Sequence, residues 1–318
     1  MTLDDVKGLG ERIAGEIGKA VVGQDQTIRH LLIALFSGGH VLLEGPPGTA
    51  KTFLAQCFAA TVGLDFKRIQ FTPDLMPGDI TGSNIFNFQT SQFSLTRGPI
   101  FCDLLLSDEI NRAPPKTQAA LLEAMQERSV TLDGVSHPLG DRFMVVATQN
   151  PIENQGVYPL PEAQLDRFLF KLLVDYPDEA EEIRIVASHG ADRGSTTPQR
   201  WGIARQADAA TLAEALAAVS AVTLVDEVVA YIVRLIRATR TSIELTAGAS
   251  PRAAAMLAGA ARAAAALDGR DYVVPDDVRA LAPAVLRHRI ALSPTAEIDG
   301  RKPEEVVATL IAEVAAPR

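Results

Sequence analysis

The fold of this chain is decided by the stretch Gly45-Pro46-Pro47-Gly48-Thr49-Ala50-Lys51-Thr52. A short apolar run at 41–44 precedes it, and a helical pattern that begins with Phe53 and continues to 60 follows it. A glycine-rich loop between a strand and a helix points successive backbone N–H groups at one spot, beside the positive end of the helix dipole. The stretch therefore predicts a site for the β- and γ-phosphates of a nucleoside triphosphate, with residues 45–53 as its binding residues.

Three residues of the loop refine this prediction. Lys51 supplies a point charge for the phosphates, and the Thr52 hydroxyl is a suitable ligand for Mg²⁺, which uses few protein ligands. Ala50 stands where such loops usually have glycine, and a residue with a Cβ fits there if its backbone is not required in the left-handed region. The alternative is a Gly/Pro turn before an ordinary helix. Lys-Thr at this offset favours the phosphate site instead.

A second chemical feature is a pair of carboxylates after the apolar run 104–106. Asp108 and Glu109 follow Ser107 at the predicted end of a buried strand. In a phosphate-loop protein the first carboxylate holds the Mg²⁺ shell and the second polarises the attacking water. Adjacent carboxylates repel each other, so this placement favours a nearby cation over the alternative, a solvated acidic loop.

Three further polar residues are candidate catalytic groups. Asn150 ends a strand and could orient the attacking water; otherwise it is a turn residue before Pro151. Arg167 precedes the last strand and could stabilise transition-state charge, also from a neighbouring subunit; otherwise it pairs with Asp166 at the surface. Arg252 begins a later helix and could report nucleotide state; otherwise it is a surface arginine.

A weaker signal precedes the first strand. Its residues, which could shape an adenine pocket, are Val22, Gly23 and Gln24.

Strand-like and helical patterns alternate over residues 1–175, which predicts an α/β core with a mostly parallel sheet. The strands are expected near 40–44, 66–71, 101–107, 143–148 and 168–173. Two hairpins are predicted to interrupt this plan, at 84–96 and 129–139. Ile85, Phe86, Phe88 and Phe93 place apolar groups on the first. Both hairpins could bind partners or only cap the sheet edge.

The pattern is helical after about residue 176. A polar loop at 190–198 indicates a linker, so we expect a connecting segment at 176–205 and an all-helical domain at 206–318. Helices are expected near 209–219, 223–239, 251–267, 275–288 and 303–315, two of them with start signals at Ser250-Pro251 and Val274-Pro275.

Bulk properties narrow the class of protein. A net charge of −9 and a pI near 5.1 argue against a broad nucleic-acid-binding face. Cys57 and Cys102 fit buried free thiols in a reducing compartment. No secretory signal or run of about 18 apolar residues is readable, so we expect a cytoplasmic protein without a transmembrane segment.

Taken together, the motifs resemble those of the MoxR family of AAA+ ATPases. The resemblance rests on Val22–Gln24, on the loop with alanine before lysine, and on the segments 107–116, 147–151, 160–168, 248–252, 269–273 and 288–289. It extends over nearly the whole chain.

The resemblance implies a P-loop AAA+ core with a five-stranded parallel sheet, two inserted hairpins of the helix-2-insert branch and an all-α lid. It implies an ATPase that uses ATP and Mg²⁺ in a homo-oligomeric ring, usually a hexamer. It also implies roles for individual residues: Lys51 and Thr52 as Walker A, Asp108 and Glu109 as Walker B, Asn150 as sensor 1, Arg167 as arginine finger and Arg252 as sensor 2.

The function implied by the resemblance is a chaperone that remodels or matures client proteins, often with a von Willebrand factor A domain partner. The alternatives are the motor of a metal-inserting chelatase, a DNA motor and a small-molecule kinase. The DNA motor is disfavoured because residues 129–139 contain no lysine or arginine with which to contact phosphates.

Overall fold

The structure is a computed structural model that describes residues 1–87, 91–151, 156–189 and 197–317. Its strands, in chain order, are β1 (Val41–Glu44), β2 (Phe66–Gln70), β3 (Gly82–Asn87), β4 (Gln92–Arg97), β5 (Leu104–Asp108), β6 (Ser129–Leu132), β7 (Val135–Pro138), β8 (Met144–Gln149), β9 (Phe170–Leu173), β10 (Leu245–Ala247) and β11 (Ala291–Leu292).

The helices, in chain order, are α1 (Leu3–Gly18), α2 (Asp25–Ser37), α3 (Lys51–Val62), α4 (Pro77–Thr81), α5 (Pro115–Glu127), α6 (Glu162–Leu165), α7 (Glu179–His189), α8 (Ala209–Ser220), α9 (Asp226–Thr241), α10 (Pro251–Leu267), α11 (Pro275–Leu286), α12 (Pro294–Ile298) and α13 (Pro303–Glu313). Short 3₁₀ turns lie at Ile110–Arg112 and Pro198–Trp201.

Five strands of the described chain form one parallel sheet in the order β2-β5-β8-β1-β9. The central strands β1, β5 and β8 are apolar and buried because helices cover both faces of the sheet. One hydrophobic cluster fills the face toward α1, α2 and α3, and a second fills the opposite face with α5. The predicted parallel core is confirmed, although the third strand begins at Leu104 and not at 101.

The two predicted hairpins are present as β3–β4 and β6–β7. The tip of the first, with Phe88, lies outside the described residues. The hairpins touch each other, since the Asn84 side-chain amide donates to the Asp133 carboxylate over 2.6 Å. Each exposes an aliphatic side chain, with Ile85 and Val135 more than half accessible.

The helices after residue 206, together called the helical region, pack around α10. Its alanine-rich sides let α1, α2, α8, α9 and α11 approach closely. The hydrophobic cluster on the α1 side of the sheet therefore continues into the helical region. The predicted linker at 190–198 lies mostly outside the described residues, and the division at 175 and 206 stays a prediction.

Local signals explain several helix boundaries. Ser250 caps α10 by accepting the Ala253 N–H, and the Asp277 carboxylate accepts the Val274 N–H at the start of α11. A two-stranded antiparallel pairing of β10 with β11 joins the helices, which the sequence pattern did not predict.

Two other predictions concern single residues and segments. Cys57 and Cys102 are free and buried, as expected, and burial raises the pKa of each thiol to about 12. Within the described part of the chain, no helix is both long and apolar enough to cross a membrane.

Candidate functional site

The loop between β1 and α3 wraps around the ammonium group of Lys51. Lys51 Nζ donates to the Gly45 carbonyl over 2.9 Å, to the Pro46 carbonyl over 2.6 Å and to Thr49 Oγ1 over 3.1 Å. Burial lowers the pKa of Lys51, while the charges of Asp108 and Glu109 raise it. The loop thus holds a partly desolvated cation at the N-terminus of α3, where an anion is also stabilised by the helix dipole.

The backbone of Ala50 differs from the sequence-based expectation. Its φ of 58° and ψ of 18° lie in the left-handed region, so the condition under which a residue with a Cβ fits without strain is not met. A residue with a Cβ adopts this conformation at a cost of about 1–2 kcal/mol. Ala50 tolerates it because it is the cap residue of α3, where the chain must turn from the loop into the helix.

Gly45 is required for a steric reason. A Cβ at this position would lie 2.0 Å from the carbonyl oxygen of Val174, which follows β9. Backbone cannot give way as a flexible side chain can, so the first residue of the loop has to be glycine.

Asp108 is the centre of a hydrogen-bond network at the end of β5. Its Oδ2 accepts from the Thr52 hydroxyl over 3.0 Å and from the Arg68 guanidinium over 2.7 Å and 3.1 Å. Its Oδ1 accepts from the Thr148 hydroxyl over 2.6 Å. The network joins four elements, since Thr52 lies on α3, Arg68 on β2 and Thr148 on β8.

Glu109 lies beside Asp108 in a left-handed conformation with φ of 58°. Its N–H donates to Thr148 Oγ1 over 2.9 Å. Its carboxylate accepts from the Gln70 side chain over 2.6 Å and pairs with Arg112 over 3.1 Å. The strained backbone turns the Glu109 side chain out of the strand direction, and two partners fix its carboxylate.

These residues line a cleft with a volume of about 320 Å³. The predicted residues that the cleft brings together are Pro47, Gly48, Thr49, Ala50, Lys51, Thr52, Phe53, Asp108, Glu109 and Asn150. Gly45 and Pro46 lie behind it, with their carbonyls turned to Lys51.

Sequence reasoning did not identify four residues of the network, Arg68, Gln70, Arg112 and Thr148. The parallel register places Gln70 beside Asp108, so polar residues at the carboxyl end of β2 had to meet the carboxylates of β5. The sequence does show that these residues are polar and lie at the end of a strand. It does not show the order of the strands, which decides that they meet the carboxylates of β5.

The predicted adenine-pocket residues lie apart from this cleft, against α7. A Cβ on Gly23 would lie 2.4 Å from the Glu181 carboxylate, and Gln24 accepts a hydrogen bond from the Thr27 hydroxyl over 2.8 Å. Gly23 adopts φ of 76°, so glycine suits both the turn and the close approach of α7. Val22 is half-buried in the same turn.

Arg167 and Arg252 lie near the N-terminal ends of the parallel strands, whereas the cleft lies at their C-terminal ends. Arg167 precedes the first residue of β9, whereas the cleft lies beyond the last residue of β1, and the two strands are parallel. The alternative of an Arg167–Asp166 pair is not what the structure has, since Asp166 pairs with Arg289 over 2.7 Å. Ser250, two residues before Arg252, also contacts Asp166, over 3.3 Å. Arg252 itself is exposed.

Comparisons with known proteins agree with this geometry. Residues 40–170 match the model of the ATPase family associated with various cellular activities, AAA, and residues 237–310 match the AAA lid domain. A crystal structure from Cytophaga hutchinsonii, of a protein with a proposed ATPase assignment, superposes with a TM-score of 0.90 at 38% identity, covering 99% of this chain and 97% of that one.

Two named relatives are similar over most of their length. Chaperone MoxR1 of Mycobacterium tuberculosis is 47% identical over 97% of this chain and 82% of its own. Protein MoxR of Methylorubrum extorquens is 35% identical over 93% of this chain and 91% of its own. With the two matched domains and the phosphate-loop cleft, these likenesses show that the chain belongs to the MoxR family of AAA+ ATPases.

Proposed function

We propose that this protein hydrolyses ATP to ADP and phosphate and uses the energy to remodel or mature a client protein as an oligomeric ring. The observation that carries the ATPase assignment is the Thr52–Asp108–Thr148–Glu109 network beside the Lys51 loop. It puts a phosphate cradle, a candidate metal site and a candidate base around one cleft.

Residues of the cleft have distinct parts in this proposal. Loop N–H groups and Lys51 bind the β- and γ-phosphates and hold the nucleotide in position. Glu109 accepts a proton from the attacking water, and Asn150, which lines the same cleft, orients that water. Gln70 and Arg112 hold the Glu109 carboxylate and thereby set its approach to the γ-phosphate.

The residues present also fit Mg²⁺. The Thr52 hydroxyl and an Asp108 carboxylate oxygen lie 3.0 Å apart at the rim of the cleft, and both are hard oxygen ligands of the kind that Mg²⁺ prefers. When bound, the ion would neutralise charge on the phosphates.

A ring is supported by the separation of Arg167 and Arg252 from the cleft. The four residues of β1 span about 13 Å from the N-terminal to the C-terminal ends of the parallel strands. Neither arginine can reach the phosphates bound to its own chain without crossing that sheet. We therefore infer that both act on the nucleotide of a neighbouring subunit, as an arginine finger does when supplied in trans. We propose a hexamer.

The partner is proposed to be a protein and not a nucleic acid. The paired hairpins β3–β4 and β6–β7 expose Ile85 and Val135, and residues 129–139 contain no lysine or arginine. Such a surface suits a client protein or a von Willebrand factor A domain partner better than phosphates.

Substitutions test the proposal directly. We expect Lys51→Ala to abolish nucleotide binding, Arg167→Ala to remove hydrolysis but keep binding, and Glu109→Gln to lower kcat by about 10²–10⁴-fold. Glu123→Gln, on an exposed part of α5, is the matched control. Sustained turnover by the Glu109→Gln protein would contradict the assignment of the base.

The client is tested with the same variant. The Glu109→Gln protein purified with ATP is expected to form a ring by size and to retain its client, which mass spectrometry identifies. Stimulation of ATPase activity by a tetrapyrrole-handling protein would favour the chelatase motor instead. Salt-sensitive stimulation by DNA would favour a DNA motor, and specific activity that is constant on dilution would favour a kinase-like monomer.

A further inference from the structure

Arg289 is a buried cation that the ATPase assignment leaves without a role. It lies between α11 and β11 in the helical region, and its side chain is only 1% exposed. The guanidinium does not face the helices alone. It crosses to the sheet and contacts the chain that runs into β9, from residue 166 to residue 169.

The contacts surround one short segment. Arg289 Nε donates to the Asp166 carboxylate over 2.7 Å, and its terminal nitrogens donate to the carbonyls of Asp166 over 3.0 Å, of Phe168, and of Leu169 over 3.1 Å. Further contacts to the Val285 carbonyl and Met256 Sδ anchor the same guanidinium to α11 and α10. Arg289 thus contacts the carbonyls of Asp166, Phe168 and Leu169, and His288 Nε2 also contacts the Phe168 carbonyl over 3.0 Å.

Asp166 connects this segment to a second point in the helical region. Its carboxylate accepts from the Ser250 hydroxyl over 3.3 Å and 3.5 Å, and Ser250 caps α10 two residues before Arg252. The backbone that carries Arg167 and the helix start that carries Arg252 therefore share one carboxylate.

Arginine suits these contacts better than lysine does. Its planar fork offers five N–H donors in fixed directions, whereas a lysine ammonium offers three donors from one atom. A buried charge has a desolvation cost that is repaid only when geometry and hydrogen bonding are good. Burial and the several acceptors around it restrain the position of this guanidinium.

We propose that Arg289 is the positioning residue for Arg167. It fixes the backbone from which Arg167 projects, and through Asp166 and Ser250 it ties that backbone to the start of α10. A movement of the helical region in one subunit is then passed to the arginine that completes the site of the next. The inference rests on the proposed action of Arg167 on a neighbouring nucleotide.

The first test is the Arg289→Lys substitution, which retains the charge but not the fork. We expect kcat to fall by about tenfold or more while the KM for ATP changes by less than about twofold, because the subunit's own cleft is untouched. Arg270→Lys is the matched control, since Arg270 pairs with Asp277 over 2.6 Å within the helical region. Its kcat should stay within about twofold of the unmodified protein.

Mixed rings separate this role from a structural one. Glu109→Gln subunits keep Arg167 but cannot hydrolyse ATP, so they should restore hydrolysis when co-assembled with Arg289→Lys subunits. Arg167→Ala subunits should not restore hydrolysis, because neither kind of subunit then supplies a correctly positioned Arg167. The reference mixture is Arg167→Ala with Glu109→Gln, which restores hydrolysis if fingers act between subunits.

Each outcome has a definite meaning. Restoration in the reference mixture without restoration of Arg289→Lys would overturn the positioning role and leave the proposed function intact. Failure of the reference mixture would overturn action between subunits and the inference with it.

Should Arg289→Lys not fold, Asp166→Asn is the second variant. It keeps the volume and the carbonyl contacts, and its ATPase activity is measured in the same mixtures. An Asp166→Asn protein with unchanged kcat and thermal stability equal to that of Arg270→Lys would also overturn the proposal.

Discussion

Thr148 and Asp108 are joined by a 2.6 Å hydrogen bond between neighbouring strands, and the same Thr148 oxygen accepts the Glu109 N–H over 2.9 Å. One hydroxyl on β8 therefore orients both carboxylates at the end of β5. Donation to Asp108 and acceptance from Glu109 use different parts of the hydroxyl, so both bonds form at once.

We expect Thr148→Val to lower kcat by about 10–100-fold, because outer partners of a metal-binding carboxylate have effects of this size. The substitution keeps the shape of the side chain and removes both hydrogen bonds, which costs about 1–3 kcal/mol of stability at a buried site. Steady-state ATPase kinetics and urea unfolding measure the two effects. Thr148→Ser keeps the hydroxyl, and a loss of kcat as large as that of valine would contradict the orienting role.

Ala50 gives a prediction about stability alone. Ala50→Gly removes the left-handed penalty but increases the entropy of the unfolded chain, so we expect a change between zero and about 1 kcal/mol in the stabilising direction. Ala60→Gly, in the last turn of α3, should instead destabilise by up to about 1 kcal/mol. Urea unfolding of the two variants gives the comparison. Equal destabilisation by both would show that the φ of 58° is not strained.

His40 predicts a dependence of stability on pH. It is buried before β1, where the Val145 N–H donates to Nδ1 over 3.0 Å and Nε2 contacts the Met125 carbonyl over 3.1 Å. Burial lowers its pKa to about 4, so below pH 6.5 the unfolded state binds the proton and the folded state does not.

Stability is therefore lost as pH falls from about 6.5 toward 4, by about 3 kcal/mol from this residue. We expect His40→Gln to be less stable than the unmodified protein at pH 7.5 and the difference to shrink at pH 5. Unfolding in urea at several pH values tests this, with His137→Gln in the β6–β7 hairpin as control. Parallel pH profiles for the unmodified and His40→Gln proteins would contradict the assignment.

The Arg68 guanidinium and the Thr52 hydroxyl donate to the same oxygen of Asp108. We propose Thr52 and Asp108 as the Mg²⁺ ligands. A guanidinium at that oxygen opposes a second cation, so we expect Arg68→Gln to bind the ion about threefold to tenfold more tightly. Mn²⁺ titration in the presence of ADP, followed by electron paramagnetic resonance, measures this. Lys67→Gln on the same strand is the control, and weaker binding by Arg68→Gln would show that Arg68 supports the ion.

The fold was predictable where burial dictates the pattern of residues. The runs ending at Asp108 and Gln149 are continuous and apolar because helices cover both faces of the sheet, and such runs are visible in a sequence. The pairing of β10 with β11 involves two or three residues per strand and leaves no periodicity to detect.

The site was predictable where one loop or strand end carries the chemistry. Lys51, Thr52, Asp108 and Glu109 are contiguous with their elements, and the structure brings them to one cleft. Arg68 and Gln70 reach that cleft only because β2 pairs with β5, an order that local patterns do not encode. Likewise, Arg289 lies 123 residues from Asp166, and only the tertiary fold joins them.

The sheet that separates Arg167 from the cleft of its own chain has a consequence for when ATP is consumed. If each finger serves the next subunit, an isolated subunit holds ATP without spending it, and the rate per subunit rises with protein concentration until assembly is complete. ATP hydrolysis would then depend on the local concentration of the protein, because it begins only where enough subunits are present to form a ring.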